Sequence, residues 1–390
     1  VSIQPNDSFL LDGVRTPFGK YRGALGALSS LDLGQHAIEA LIRRQPLAAK
    51  PSAALLGVVV QAGLGQNPAR IAALRAGVES TTPALTLNSV CLASLEAVCD
   101  ATRRIRSGEG SHYLVGGFDS MTRAPRLLAS EFEAAFDEPR SALHSDGLSC
   151  ALAGVSMGAL SDRYNRELEI SRVEQDEWAC MSQDRAATAA AVLQHDEIAA
   201  VECDDHWVSA DQCIRSGANL AALGKLPPAF EAEGTITAGN ASQLADGASA
   251  GLIISGAMLG QVERPPLARI VDWGWVAGPD PTLHLKPAAA TQLILERQGL
   301  KPSDIDLYEI NEAFAGVAIA STRALGVSAD VVNVNGGAIA LGHPLGATGF
   351  RLLLTLALEL RRRGARRGIA CLCGGGGQGL AVLIENTTFH

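Results

Sequence analysis

Cys91, His343 and Cys373 are the side chains of this sequence best suited to nucleophilic attack and proton transfer, and each stands in an unusual setting. Cys91 follows the apolar run Ala84–Leu87 and the turn Asn88-Ser89-Val90, and it opens a helical pattern carried by Leu95, Val98, Ala101 and Ile105. A helix N-terminus offers unpaired N–H groups and a favourable dipole, so this position predicts a lowered thiol pKa and a nucleophile rather than an inert core cysteine. His343, taken alone, reads as a hydrogen-bonded loop histidine, but between Gly342 and Pro344 it is held in a fixed turn. Cys373 ends the apolar run Ile369-Ala370-Cys371-Leu372 and precedes Gly374-Gly375-Gly376-Gly377. Packing accounts for the thiol; the glycines demand either a tight hairpin or a site where something lies against bare N–H groups. Asn311 follows another strand-like run, where a turn cap is its plain reading, and Glu312 fits either a surface ion pair or a buried orienting group.

The elements around these residues alternate strand and helix. Gly374, Gly376 and Gly379 spell G-x-G-x-x-G, yet the strand-like run Leu380–Ile384 follows where a dinucleotide fingerprint opens a helix, and no Lys-Ser/Thr pair of a phosphate loop is present. Buried strands are expected over 55–60 and 113–117, a further strand over 84–87 and a short one from Phe9 that runs into a loop stopped by Pro17, with helices from Asp32 to Arg44, from Ala69 to Ala76 and from Cys91 to Ser107. A loose segment from Ser120 to about Ala245 contains a capped helix beginning at Ser171 and Glu174 and reads as an insertion over one face of the core. Strands return over 248–255 and 267–276. The succession then repeats with an offset of about 250 residues: helix 288–297, strand 305–310, strand 331–335 leading through a turn into helix 349–362, and the glycine-ended strand 369–374. The expectation is a duplicated α/β fold.

Composition bounds the partners. A chain of 390 residues, 47% hydrophobic with 41 glycines, has a large core built from small side chains. A formal charge of −9 argues against nucleic acid or an acidic membrane surface as a general partner. Eight cysteines are too sparse for a disulfide framework, and the opening residues lack the pattern of a secretory leader, so a reducing, cytoplasmic setting is expected. No run is long and apolar enough to span a bilayer. Phe389-His390 is no targeting address. Arg361-Arg362-Arg363 and Arg366-Arg367 read as a solvated helix end.

Cys91 at its helix start, Asn311-Glu312-Ala313-Phe314-Ala315, Asn335-Gly336-Gly337 running through Gly342-His343-Pro344-Leu345-Gly346 to Gly349, and Cys373-Gly374-Gly375-Gly376-Gly377-Gln378-Gly379 together resemble the thiolase family, the acyl-CoA acetyltransferases. Arg15-Thr16-Pro17-Phe18-Gly19, Ser120-Met121-Thr122-Arg123 and Thr237-Ala238-Gly239-Asn240 extend the resemblance over nearly the whole chain. It implies two βαβαβαββ halves in an α-β-α-β-α layering, divided as 1–118, an inserted loop domain 119–245, a return 246–265 and a C-terminal half 266–390.

The resemblance also implies roles. Cys91 is the acylated nucleophile, His343 its base and a donor to the thioester oxygen, and Cys373 the group that exchanges a proton with the acetyl α-carbon. Gly375 lends its N–H with that of Cys91 to one oxyanion site, and Asn311 holds a water that completes a second with His343. Leu148, Phe230, Ala238, Ser242, Ala313 and Phe314 line the pantetheine of coenzyme A, and Arg215 lies near its nucleotide; packing and solvent are their plain readings. Coenzyme A and its thioesters are substrates, with no metal and no tightly bound cofactor, in fatty-acid and lipid metabolism. The assembly is a homodimer or homotetramer, in which Glu131, Glu133, Asp137 and Glu138 are solvated.

The sequence departs from the family pattern at three places. Leu92 follows the nucleophile and is expected to narrow the acyl pocket, Ser156 stands where short-chain members carry His, and Phe118-Asp119 replaces a small residue and Glu. Leu92 and Phe118 motivate an alternative, a catalytically silent acyl-CoA-binding scaffold. A decarboxylating ketoacyl-synthase-like enzyme, which uses two histidines, and a Cys-His hydrolase are further alternatives.

Overall fold

The computed structural model describes residues 3–128 and 138–388. Glu131, Glu133, Asp137 and Phe389-His390 lie outside them; Glu138 is exposed. The first half runs β1 (Ser8–Arg15), α1 (Ser30–Arg44), β2 (Ala53–Gly57), α2 (Pro68–Arg75), β3 (Ala84–Leu87), α3 (Ala93–Arg106) and β4 (His112–Ser120). The segment that follows contains α4 (Met157–Glu167) and α5 (Arg172–Asp196), and the chain returns to the first half as β5 (Ala245–Ser255). The second half is β6 (Ala268–Ala277), α6 (Lys286–Gln298), β7 (Leu307–Ile310), α7 (Ala315–Leu325), α8 (Leu345–Arg363), β8 (Arg367–Gly374) and β9 (Gln378–Asn386). The caps follow the sequence: Ser29 with Asp32 and Ser171 with Glu174 form reciprocal capping boxes at α1 and α5.

Strand order exposes the duplication. One half reads β3-β2-β4-β5-β1 and the other β7-β8-β9-β6, with parallel pairing at β2/β4 and β7/β8 and antiparallel pairing at β4/β5 and β8/β9. The halves join edge to edge where β1 meets β6, through Ser8–Ile270, Phe9–Arg269 and Leu10–Ala268. Between the sheets lie α3 and α8: Leu95 and Val98 of one and Phe350 and Leu353 of the other share a core with Leu55, Val115, Leu372 and Val382. α1 and α2 cover the outer face of the first sheet and α6 and α7 that of the second, which gives the α-β-α-β-α layering. Gly349 lets the central helices touch, since a Cβ there would lie 2.7 Å from the backbone nitrogen of Leu95. A fully buried ion pair, Arg351 Nη1 to Glu309 Oε2 at 3.0 Å, ties α8 to β7.

Two expected strands are shorter than their composition predicts. Val58–Val60 leave the ladder after β2 because the N–H groups of Val59 and Val60 turn to the Asp119 carboxylate. Residues 331–335 form no strand beyond a single bridge from Val332 to Tyr308. There Asn333 takes a left-handed φ of 48°, and its side chain both accepts from the Ile310 N–H and donates to the Ile310 carbonyl, replacing a ladder with one amide. The repeat therefore lacks a second-half copy of β3.

Candidate active site

Four loops from both halves meet above the central helices. The first carries Cys91. Its preceding residue, Val90, has φ of 55°, a backbone state that is costly for a β-branched side chain and marks a strained turn before α3. Asn88 Oδ1 accepts the Val90 N–H at 3.0 Å and helps hold that turn. The N–H groups of Cys91 and Gly375, the two donors expected to hold an oxyanion, both favour the thiolate of the Cys91 sulfur. The thiol pKa moves against the sequence expectation: burial is the largest cause and pushes it up to about 12, the Cys91 N–H is the next influence and pulls the other way, the Asp119 charge adds a smaller push upward, and the Gly375 N–H a smaller pull downward. α3 begins at Ala93, so Cys91 precedes the helix proper and gains little from its dipole.

The second loop carries His343. Its Nδ1 lies 2.7 Å from Thr348 Oγ1, whose own proton goes to the Pro344 carbonyl at 2.7 Å. With that proton committed, Nδ1–H must donate to Thr348, which leaves Nε2 as a lone pair. Nε2 faces Asn311 Nδ2 at 3.4 Å. Burial, with a smaller contribution from the Arg351 charge, drives the imidazole down to about 3, so it is a neutral base throughout the physiological range.

The third loop, Asn311–Phe314, is braced by Glu312. This buried carboxylate accepts from Trp178 Nε1 (3.0 Å), Asn333 Nδ2 (2.9 Å), Ser182 Oγ (2.7 Å) and the Ile339 N–H (3.1 Å), which settles it as an internal strut rather than a surface ion pair. Asn311 donates its N–H to Cys371, while its Oδ1 is buried without a protein partner.

The fourth is the glycine ribbon, where hairpin and site coincide. β8 and β9 pair through Cys373–Gly379 and Gly374–Gln378, with Gly376 and Gly377 at φ of 80° and 73°. Cys373 is buried with Ala313, Phe314 and Leu283, and burial holds its thiol well above the ordinary range, the neighbouring Cys91 adding to the effect.

Cys91, His343, Cys373 and Gly375 line one cavity of about 60 Å³ with Val90, Leu148, Met157, Ser242, Leu283, Ala313, Phe314 and Leu345. Leu148, Met157, Ser242 and Phe314 also line a cleft of about 690 Å³ that leads outward past Phe230, Ala238 and Arg215. All seven residues expected at coenzyme A thus line this continuous path. Phe230 stands edge-on to Phe314, and Gly158 leaves room for its ring. Arg215 is exposed and donates to the Ala238 carbonyl and to Gln243 Oε1. Lys20, Tyr21 and His144 add polar groups to the cleft wall. They, Val90, Thr348 and Leu283 were not assigned to the site from sequence, where Met157 figured only in a family-like Met157-Gly158 segment; Thr348, one helical turn after Pro344, left a local signal.

The departures resolve differently from expectation. Leu92 points into the core between the sheets and packs on Gly374, while Phe118 points the opposite way, against Gly34 of α1. Neither lines the small cavity. Ser156 caps α4 through the Ala159 N–H and lies in the cleft wall.

A helix-braced, two-thiol and histidine site at the base of a long cleft, on a duplicated layered fold, defines a class of acyl-transferring enzymes. The chain belongs to the thiolase family: residues 8–257 match the thiolase N-terminal domain and residues 264–386 the thiolase C-terminal domain. Among its relatives are a probable acetyl-CoA acetyltransferase of Mycobacterium leprae, 42% identical over 97% of this chain and 99% of the relative, and the acetyl-CoA acetyltransferase of Shinella zoogloeoides, 41% identical over 97% and 99%. An acetyl-CoA acetyltransferase of Escherichia coli is 39% identical over 96% and 98%. All eight cysteines are free thiols, and among the described residues no helix is long and apolar enough to cross a membrane.

Proposed function

We propose that the protein cleaves a short 3-ketoacyl-CoA with coenzyme A, or condenses two acetyl-CoA molecules in reverse, through an acylated Cys91. The observation that carries this reading is the convergence of Cys91, His343, Cys373 and Gly375 on one small cavity beneath the cleft. In cleavage, His343 takes the Cys91 proton and the thiolate attacks the keto carbon. The bond between the keto carbon and the α-carbon breaks, its electron pair goes to the α-carbon, and Cys373, a thiol at rest, protonates that carbon as acetyl-CoA forms. Coenzyme A then gives its thiol proton to Cys373 and attacks the acyl carbon; Cys91 departs and recovers its proton from His343. The N–H groups of Cys91 and Gly375 stabilise the tetrahedral oxyanion, and Asn311 with a water and His343 holds the enolate oxygen. The segment 119–245 acts as the wall that receives the pantetheine.

The cavity argues for an acetyl group. At about 60 Å³ it is less than a tenth of the outer cleft of about 690 Å³, and Val90, Leu148, Met157 and Leu345 close around it, which favours a short acyl group there. Thiolysis rates over acetoacetyl-, 3-ketohexanoyl- and 3-ketodecanoyl-CoA are expected to fall roughly tenfold or more at the first lengthening. A rate that rises with chain length would remove the acetyl assignment, and product formation without coenzyme A would favour the hydrolase. The silent-scaffold reading loses its motive, because Leu92 and Phe118 face away from the cavity.

A second copy of the chain is the proposed partner. β3 pairs only with β2 among the described residues, and Leu85 on it is 38% exposed, an edge that antiparallel pairing with a second β3 would cover. Sedimentation is expected to give a dimer that Leu85→Lys weakens; an unchanged mass for the variant would move the interface elsewhere.

A further inference from the structure

The Asp119 carboxylate lies at the end of β4, fully buried, and none of the described residues places a cation beside it. Its partners are three backbone N–H groups from two other elements: Oδ2 accepts from Gly346 at 2.7 Å, Oδ1 accepts from Val60 at 3.1 Å, and both oxygens share the Val59 N–H at 3.3 Å. Gly346 stands three residues after His343 in the first turn of α8. Val59 and Val60 both line the shell around the small cavity, packed with Leu345 and Cys91. The backbone is closed around the carboxylate: a Cβ on Gly346 would lie 2.7 Å from the Gly57 carbonyl oxygen and 2.9 Å from Asp119 Oδ2.

We propose that Asp119 is a positioning residue of the thiolase site, one whose carboxylate fastens the turn that carries His343 to the loop after β2 and so fixes the base relative to the Cys91 thiol. This rests on the function proposed above. Only a carboxylate suits the place, because both ends must accept; an amide would turn its NH2 toward either the Gly346 or the Val60 donor and leave that tie broken. The negative charge also bears on the nucleophile. The charged and titratable neighbours are Cys91 and, from β5, the Asp246 carboxylate, itself bound by Thr122 and Ser120. Burial first, and Asp246 after it, raise Asp119 to about 6, against the three N–H bonds; it is ionised at neutral pH. There its charge opposes loss of the Cys91 proton, so the thiolate forms when His343 takes that proton.

The test is Asp119→Asn, read by steady-state thiolysis of acetoacetyl-CoA and by the pH profile of Cys91 alkylation with iodoacetamide, located by peptide mass. KM for coenzyme A is expected to stay within about twofold while kcat falls roughly tenfold or more. Alkylation at fixed pH is expected to rise about threefold or more, since the opposing charge is gone. A merely structural role would lower the folded fraction and leave the alkylation profile of the folded protein at that of the wild type, and this result overturns the proposal, as does an unchanged kcat. If Asp119→Asn does not fold, Gly346→Ala serves: with the Asp119 charge retained it should keep the wild-type alkylation profile, but its Cβ meets the Gly57 carbonyl and the Asp119 carboxylate and must shift the turn that carries His343 and lower kcat, and wild-type kcat would overturn the proposal. Failure of the proposed function is distinguishable, because wild-type protein would then be alkylated normally yet cleave no ketoacyl-CoA.

Discussion

Replacing Cys91 with alanine is expected to lower acetoacetyl-CoA thiolysis by ~10⁴-fold or more, the scale seen when a covalent nucleophile is removed. The protein should remain folded. Cys91 lines the small cavity rather than filling the core, and the elements around it are held by residues elsewhere, among them the Glu312 strut. The decisive measurement is intact mass after brief exposure to acetyl-CoA, in which wild type gains one acetyl group and Cys91→Ala gains none. Cys373 makes this a sharp test. It borders the same cavity, but burial holds its thiol well above the ordinary range too, and it belongs to a strand end packed with Ala313 and Phe314. An acetyl group retained in Cys91→Ala and mapped to Cys373 would exchange the proposed roles of the two thiols.

Replacing His343 with alanine is expected to lower kcat by ~10²–10⁴-fold, the range of a general base. Its effect on pH dependence is more telling. With the Cys91 thiol pushed up to about 12 and His343 down to about 3, neither group is charged in the resting enzyme at neutral pH. The proton must move as substrate is attacked. Without the base, acylation depends on the small fraction of thiolate already present, which grows about tenfold for each pH unit below the thiol pKa. The variant's acylation rate should therefore climb steeply from pH 7 to pH 10, while the wild type, using its neutral imidazole, stays much flatter. A variant with the wild-type profile would show that Cys91 loses its proton to another group.

The site was legible where its chemistry is written in short local patterns. His343 lies between a glycine and a proline, Cys373 before four glycines, and Asn311-Glu312 at the head of an otherwise apolar segment, so each announces itself within a few residues. The layered duplication was legible for a similar reason, because strand and helix periods are local. The strand expected at 331–335 failed where a side chain took over a ladder's work: Asn333 satisfies both backbone groups of Ile310, and no propensity reports that.

By itself, then, the sequence determined the fold class through the order of its strands and helices and pointed to Cys91 through its place at a strand-to-helix turn, while the roles proposed for the other site residues came from their resemblance to thiolases. Tertiary structure decided their state. The Cys91 thiol was expected low because a helix start favours a thiolate, yet it lies high because protein surrounds it and the Asp119 charge stands behind it. Thr348 sets the tautomer of His343, and Asp119 reaches Gly346 across 227 positions of chain. Burial and the meeting of distant carboxylates with backbone donors exist only once the layers close, which is why the acid–base character of this site could not be read before its fold.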